Sequence, residues 1–350
     1  MLLRIIHQTK LKYSAEVSGT IFEARMAPRS DEDQTSLAYS LTSSPTAPLT
    51  SYRDGDGNRI DLFNISQPYT SLSVTATSHV RTHRRDGYTR LKTESLTQFN
   101  AGTLSMELGE LLKASPLVPF SANMAEFAAS IDWPADEMAT ARAERLMHAV
   151  GDRLTYAPAV THAWSSAEEV LEHNSGVCQD FAHILIGLAR LKALPARYVS
   201  GYIYQPGQIA THAWAQVWFG PMAGWIDIDP TRSGFATNDH VTVAFGRDYS
   251  DVPPNRGVWS GMASESIDVA VEITEVDRLP SDFNGFTPRK QAQRTNQATR
   301  SPGAQADRSQ ASSTYGFTGT SRGLARQPFQ PTSHPQQTQQ QQQRATIERK

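Results

Sequence analysis

Residues 175–195 read Ser175-Gly176-Val177-Cys178-Gln179-Asp180-Phe181-Ala182-His183-Ile184-Leu185-Ile186-Gly187-Leu188-Ala189-Arg190-Leu191-Lys192-Ala193-Leu194-Pro195. Phe181, Ile184, Leu185, Leu188, Ala189 and Leu191 recur at helical spacing, so the stretch predicts a helix over 177–194, preceded by Ser175-Gly176 and ended by Pro195. Cys178 falls in the first turn of that helix. The thiolate is the form that attacks a carbonyl, and a free thiol with a pKa of about 8.5 is only a few per cent ionised at neutral pH. A helix N-terminus presents partial positive charge to the sulfur and favours the anion. An imidazole within reach would be the second aid.

Working outward, β-rich segments follow at 196–204, 212–219 and 225–229, the last two joined by Gly220-Pro221-Met222-Ala223-Gly224 as a hairpin. Alternation puts His212, Trp214, Gln216 and Trp218 on one face of the first hairpin strand and Trp225, Asp227 and Asp229 on one face of the second. In the register that sets Gln216 opposite Asp227, His212 and Asp229 are diagonal neighbours on a shared face, and a one-residue slip separates them. Cys178, His212 and Asp229 are therefore the candidate nucleophile, base and base-orienting acid. Asp227 is the alternative acid, and Asp229 has the alternative role of capping the turn at Pro230-Thr231. The Cys178 backbone N–H is a natural oxyanion donor; Tyr156 and Trp164 are candidates for the second donor.

The neighbouring residues divide between chemistry and packing. His183 lies about 140° further round the helix than Cys178, which assigns it to packing or surface. Asp180 suits the helix dipole and reads as structural. Trp214, Trp218 and Trp225 fit either a substrate groove or a sheet core. Arg247, Asp248 and Tyr249 fit either a cleft rim or a loop-stabilising ion pair.

Four blocks carry a family resemblance: Gly176-Val177-Cys178-Gln179-Asp180-Phe181-Ala182, Pro195-Ala196-Arg197-Tyr198-Val199-Ser200-Gly201-Tyr202, Thr211-His212-Ala213-Trp214 and Gly224-Trp225-Ile226-Asp227-Ile228-Asp229-Pro230-Thr231. In content and order they resemble the bacterial transglutaminase-like proteins, and Val243 to Pro254 resembles the same branch. The resemblance covers roughly residues 1–275. It implies an α+β fold with a papain-like or transglutaminase-like core, in which a catalytic cysteine at a helix N-terminus packs on an antiparallel sheet, preceded by a small β-rich domain. It also implies that Cys178, His212 and Asp229 form the triad of a cysteine peptidase, amidase or acyltransferase acting through an acyl-enzyme on the amide carbonyl of a peptide or protein. Protein-glutamine transglutaminase activity is the alternative, and an inactive scaffold is the alternative of another class.

The expected organisation is a β-rich domain over 1–95, a catalytic domain over 96–279 and a disordered tail over 280–350. Short strands are expected at 2–9, 19–26 and 36–42, with a pair flanking Asp54-Gly55-Asp56-Gly57-Asn58. That Asp-rich run reads as a hairpin turn, since it lacks the distal Glu of a calcium loop. Helices are expected near 105–113, 123–131 and 135–154, and further strands at 240–245 and 266–274 complete the catalytic sheet. The tail is rich in Gln, Ser, Thr, Arg and Pro and lacks the apolar periodicity a core needs.

Composition bounds the function. Hydrophobic residues make up 39% of the 350, enough for real cores. The net charge of −2 divides into +8 over 289–350 and −10 over the rest, which disfavours nucleic-acid binding by the body and leaves it open only to the basic tail. A single cysteine excludes an internal disulfide and any multi-cysteine metal site. No cofactor is expected, and activity is expected without metal, although eukaryotic transglutaminases of similar core use calcium. Met1 to Ser14 lacks the apolar stretch of a signal peptide, and no membrane helix is apparent, so a cytoplasmic location is expected.

Overall fold

In the computed structural model, which describes residues 1–92, 105–134, 137–205 and 211–279, the first strand runs unbroken through the positions where two short ones were expected. β1 (Leu2–Ala24) buries alternate residues from Leu3 through Leu11 and Tyr13, as a strand with one face on a core must. Its ladder shifts between Lys12 and Val17 and again between Ser18 and Ile21, next to Gly19 at φ +60°, so the strand bends there. β2 (Gln34–Ser44), β3 (Thr50–Arg53), β4 (Arg59–Ile65) and β5 (Tyr69–Thr82) complete a sheet ordered β2-β5-β1-β4-β3. β5 lies outside the expected strands, although Leu72, Val74, Ala76 and Val80 carry its two-residue period. The Asp54 carboxylate is taken up by the backbone N–H groups of Asp56 and Asn58, which makes the Asp-rich run a turn between β3 and β4.

Six helices are described after this region: α1 (Gly87–Leu91), α2 (Met106–Glu110), α3 (Ala122–Ser130), α4 (Ala139–Arg153), α5 (Ala167–His173) and α6 (Cys178–Leu191). A Ser166/Glu169 capping box starts α5. A short parallel pair, β6 (Thr155–Tyr156) with β7 (Ser175–Gly176), fixes the approach to α6. The second sheet comprises β8 (Ala196–Ile203), β9 (Thr211–Trp218), β10 (Trp225–Asp229), β11 (Gly234–Phe235) and β12 (His240–Gly246), ordered β11-β10-β9-β8-β12. Helix α6 packs on this sheet, and Ile184, Leu185 and Leu188 share one core with Ala213, Ala215, Val217, Ile226 and Ile228. None of the described helices is long and apolar enough to cross a membrane.

The strand expected at 266–274 exists but belongs elsewhere. β13 (Asn255–Ser260) and β14 (Glu265–Glu275) both pair with β1, β14 from Leu3 opposite Glu275 to Tyr13 opposite Glu265. Alternation specifies which face of a strand is apolar, not which strand it joins. Here Val269 is buried and Asp268 lies directly opposite Lys10, residues of opposite charge across the ladder. The chain thus returns to the first sheet after β12. The outer edge of β12 is closed by side-chain amides instead: Gln34 exchanges two hydrogen bonds of 2.8 Å with the Thr242 backbone, and Asn58 does the same with Phe245. Leu3, Ile5 and Val80 of the first sheet also enter the α6 core, so the two sheets are built onto one another. The tail expected over 280–350 lies outside the described residues.

At the far end of α6, buried Arg190 donates to the carbonyls of Ala196, Lys113 and Arg247 and to Ser115 Oγ, tying four segments together. Removing it strands those acceptors in a buried site. We predict that Arg190→Met lowers the unfolding free energy by about 3 kcal/mol, read by urea denaturation, and that Arg190→Lys recovers less than half because one ammonium cannot span the same acceptors.

Candidate active site

Cys178 is the first residue of α6 and is 5% exposed, with extended Val177 as its N-cap. The Asp180 carboxylate accepts hydrogen bonds from Val177 N–H at 2.7 Å and Thr161 Oγ1 at 2.6 Å, which locks the first helical turn. Only glycine fits at position 176, because a Cβ there would stand 2.3 Å from Asp180 Oδ2. Burial raises the Asp180 pKa to about 6 against the opposing effect of those two hydrogen bonds. Asp180 is thus structural.

The hairpin of β9 and β10 adopts the register with Gln216 opposite Asp227 and Ala215 opposite Ile228. His212 and Asp229 are consequently diagonal neighbours, and His212 Nε2 donates to Asp229 Oδ2 at 2.8 Å. The same imidazole is hydrogen-bonded with the Cys178 side chain. With Nε2 committed to Asp229, Nδ1 is the nitrogen left to face the thiol. Burial alone would lower the His212 pKa, but the Asp229 charge, its hydrogen bond and the Cys178 contact prevail and raise it to about 10. Burial likewise opposes ionisation of Asp229, and the His212 and His240 contacts overcome it, holding that carboxyl well below the ordinary range.

Asp229 also caps its turn, using the other oxygen: Oδ1 accepts from Thr231 N–H at 3.1 Å and Arg232 N–H at 3.3 Å. Asp227 is engaged elsewhere. It accepts from Trp214 Nε1 at 2.6 Å, from Gln216 Nε2 at 3.0 Å and from Arg84 Nη1 at 2.8 Å, a buried network away from the imidazole. Trp214 is fully buried with Val199 and Phe245, and Gly201 is small because a Cβ there would meet its ring at 2.6 Å. Trp218 and Trp225 pair edge to face at 5.6 Å. These three tryptophans are packing residues, and none of them lines the cleft at Cys178.

His240, read in the sequence only as the start of a strand, sits behind the acid. Thr237 N–H donates to its Nδ1 at 3.1 Å, so the ring proton is on Nε2, which donates to Asp229 Oδ2 at 3.1 Å. Burial lowers its pKa and keeps it neutral. Ligand atoms of His212, Asp229 and His240 lie within 4.8 Å of one another. The fixed tautomer directs an N–H, not a lone pair, at the shared oxygen, so the cluster is suited to hydrogen bonding, not to metal ligation. No sequence pattern marks His240, because its partnership with Asp229 spans the β11 segment.

The cleft at Cys178 is lined by Gln179, Tyr198, Tyr202, Thr211, His212 and Tyr249, among others, and by His7 and Arg25 from β1 and its end. Tyr156 and Trp164 do not line it; they pack on Phe181 and Tyr249 respectively, which leaves them without support as oxyanion donors. His183 is fully buried, accepts from Tyr249 N–H at 3.2 Å and has its pKa lowered by burial to about 4, a packing role. The Arg247 to Tyr249 segment divides. Arg247 pairs with Asp251 at 2.9 Å, Asp248 receives Leu117 N–H at 2.8 Å, and Tyr249 alone reaches the cleft.

Residues 3–81 match the bacterial transglutaminase-like N-terminal region and residues 125–230 match the transglutaminase-like superfamily. An uncharacterized protein of Mycobacterium leprae is 31% identical over 287 residues, spanning 78% of this chain and 99% of its own length. An uncharacterized protein of Mycobacterium tuberculosis strain H37Rv is 31% identical over 291 residues, spanning 77% of this chain and 91% of its own. Among solved structures, a Cytophaga hutchinsonii protein assigned provisionally as a cysteine protease superposes with a TM-score of 0.66 at 22% identity, covering 80% of this chain and 93% of that one. With both of its regions matched and relatives of this similarity aligned along nearly their whole length, the chain belongs to the transglutaminase-like superfamily, in the bacterial form that carries this N-terminal region.

Proposed function

We propose that this protein hydrolyses amide bonds in peptides or proteins, with Cys178 as nucleophile, His212 as acid and base, and Asp229 as the group that orients His212. The observation that carries the reading is the hydrogen-bonded row from the Cys178 side chain through His212 to Asp229, set at a helix N-terminus. The thiol proton passes to His212, and the thiolate attacks the amide carbonyl. The oxyanion lies against the N-terminal backbone of α6. His212 then protonates the leaving nitrogen as the C–N bond breaks, leaving a thioester on Cys178. Water, deprotonated by His212, attacks that thioester, releases the acid and restores the thiol. His240 is a positioning residue that keeps Asp229 ionised and aimed. A lone thiol is best kept in a reducing compartment, and we take the cytoplasm as the place where the enzyme works.

Iodoacetamide tests the row without a known substrate. At pH 6.5 we expect native Cys178 to alkylate at least about tenfold faster than Cys178 in His212→Ala; equal rates in the two proteins would defeat the assignment. Asp229→Asn should cost about as much as His212→Ala, and His240→Ala about tenfold, with His240→Gln intermediate because it retains a donor. Mass spectrometry of peptide digests with and without an added primary amine should yield the free acid in both.

Linkage supplies an independent check. The folded pKa of His212, about 10, exceeds its ordinary 6.5, so its stabilisation is complete below pH 6.5 and is lost as pH rises through about 10. The Asp229 pKa is depressed below its ordinary 3.8, so its stabilisation is complete above that pH and is lost on acidification below it. The melting-temperature gap between the native protein and His212→Ala should therefore be widest between about pH 4 and 6.5 and narrow steadily towards pH 10.

A further inference from the structure

The cleft at Cys178 has a second polar centre that the hydrolytic row does not use. Arg25, the residue following β1, has a side chain only 9% exposed and lines the cleft. Its backbone N–H bonds Pro254 O at 2.8 Å, and its Nη2 pairs with Glu23 at 3.2 Å, but Nε and Nη1 are buried without any hydrogen-bond partner. From the first half of β1, His7 lines the same cleft. Its Nδ1 is bonded to the Tyr202 hydroxyl at 2.8 Å, and its Nε2 is buried without a partner. The bend in β1 near Gly19 is what lets His7 in its first half and Arg25 just past its end reach one cleft.

Unpaired buried donors on a guanidinium are rare and costly, and they persist where a ligand supplies the missing acceptors. The charges of the cleft point the same way. Among the described residues that line it are the cations Arg25 and His212 and no Asp or Glu, while His7, its pKa lowered by burial to about 3, is a neutral hydrogen-bonding group. Glu23 answers Arg25 on one nitrogen only, and one of its oxygens also accepts from Tyr52 Oη at 3.1 Å. Tyr198, Tyr202 and Tyr249 supply flat walls for a peptide segment but no further cation or anion.

We propose that Arg25, with His7 beside it, is a carboxylate-binding subsite, and that the enzyme prefers amide bonds lying next to a carboxylate in the substrate. This rests on the amide-hydrolase reading above and deepens it by assigning specificity to the N-terminal region. The carboxylate is either the C-terminus of a peptide or an acidic side chain.

The test is Cys178 alkylation by anionic iodoacetate against neutral iodoacetamide, in the native protein, Arg25→Gln and Arg25→Lys. The ratio of iodoacetate to iodoacetamide rates should fall at least about fivefold in Arg25→Gln and be largely kept in Arg25→Lys. A ratio within twofold of native in Arg25→Gln would overturn the subsite. Slow iodoacetamide alkylation of the native protein, no faster than in His212→Ala, would instead defeat the hydrolase reading. A second measurement uses only the native protein: protection of Cys178 from iodoacetamide by N-acetyl-dialanine, by its C-terminal amide, and by N-acetyl-alanyl-glutamate amide bearing only the side-chain carboxylate. Stronger protection by the first assigns a peptide C-terminus, and stronger protection by the third an acidic side chain. Protection by neither beyond that of the neutral amide would overturn the proposal.

Discussion

The register between β9 and β10 is the constraint on which the site depends. With Gln216 opposite Asp227, one face of the hairpin receives His212 and Asp229 as diagonal neighbours and leaves Asp227 beside Trp214 and Gln216. A slip by one residue would turn every side chain of one strand to the other face, separating the imidazole from its carboxylate and driving Ile226 and Ile228 out of the α6 core. The apolar residues of the opposite face therefore enforce the geometry of the polar ones. Packing of Ala213, Ala215, Val217, Ile226 and Ile228 beneath α6 permits one register only, and that register assembles the His–Asp pair.

A buried carboxylate that must stay ionised needs every lone pair engaged. Asp229 meets this with two backbone N–H groups on one oxygen and two imidazoles on the other. The four donors come from the turn after β10, from β9 and from β12, so the acid is held only where those elements converge. Asp227 shows the same economy in a different setting, with indole, amide and guanidinium donors. Two aspartates separated by one residue thus serve two functions, because the elements reaching them differ.

The N-terminal region is part of the working structure. Gln34 and Asn58 complete the edge of β12, Arg84 bridges Asp33 to Asp227 at 3.3 and 2.8 Å, and β1 and the residue after it contribute His7 and Arg25 to the cleft. The return of β13 and β14 to β1 ties both ends of the described chain into one sheet. That arrangement explains how a β-rich region with no candidate nucleophile of its own can still shape what enters the cleft.

Much of this was legible in the chain itself, because local rules govern it. The helix after Gly176, with Cys178 in its first turn, follows from apolar spacing and Pro195, the hairpin turns from glycine positions, and the diagonal placing of His212 and Asp229 from alternation on two strands joined by a short loop. What lay beyond the sequence were pairings between distant segments. Period-two alternation marks 265–275 as a strand but is indifferent to whether it joins β12 or β1; buried Val269 and the Lys10–Asp268 pairing favour β1. His240 carries no local mark, since its role exists only once Thr237 has fixed its tautomer and β10 has brought Asp229 to it. His7 on β1 and Arg25 just past its end sit 18 residues apart in the chain and share a cleft only because that strand bends. Short-range periodicity is written into the sequence by sterics, whereas the partner of a strand edge or a buried donor is chosen by the whole fold.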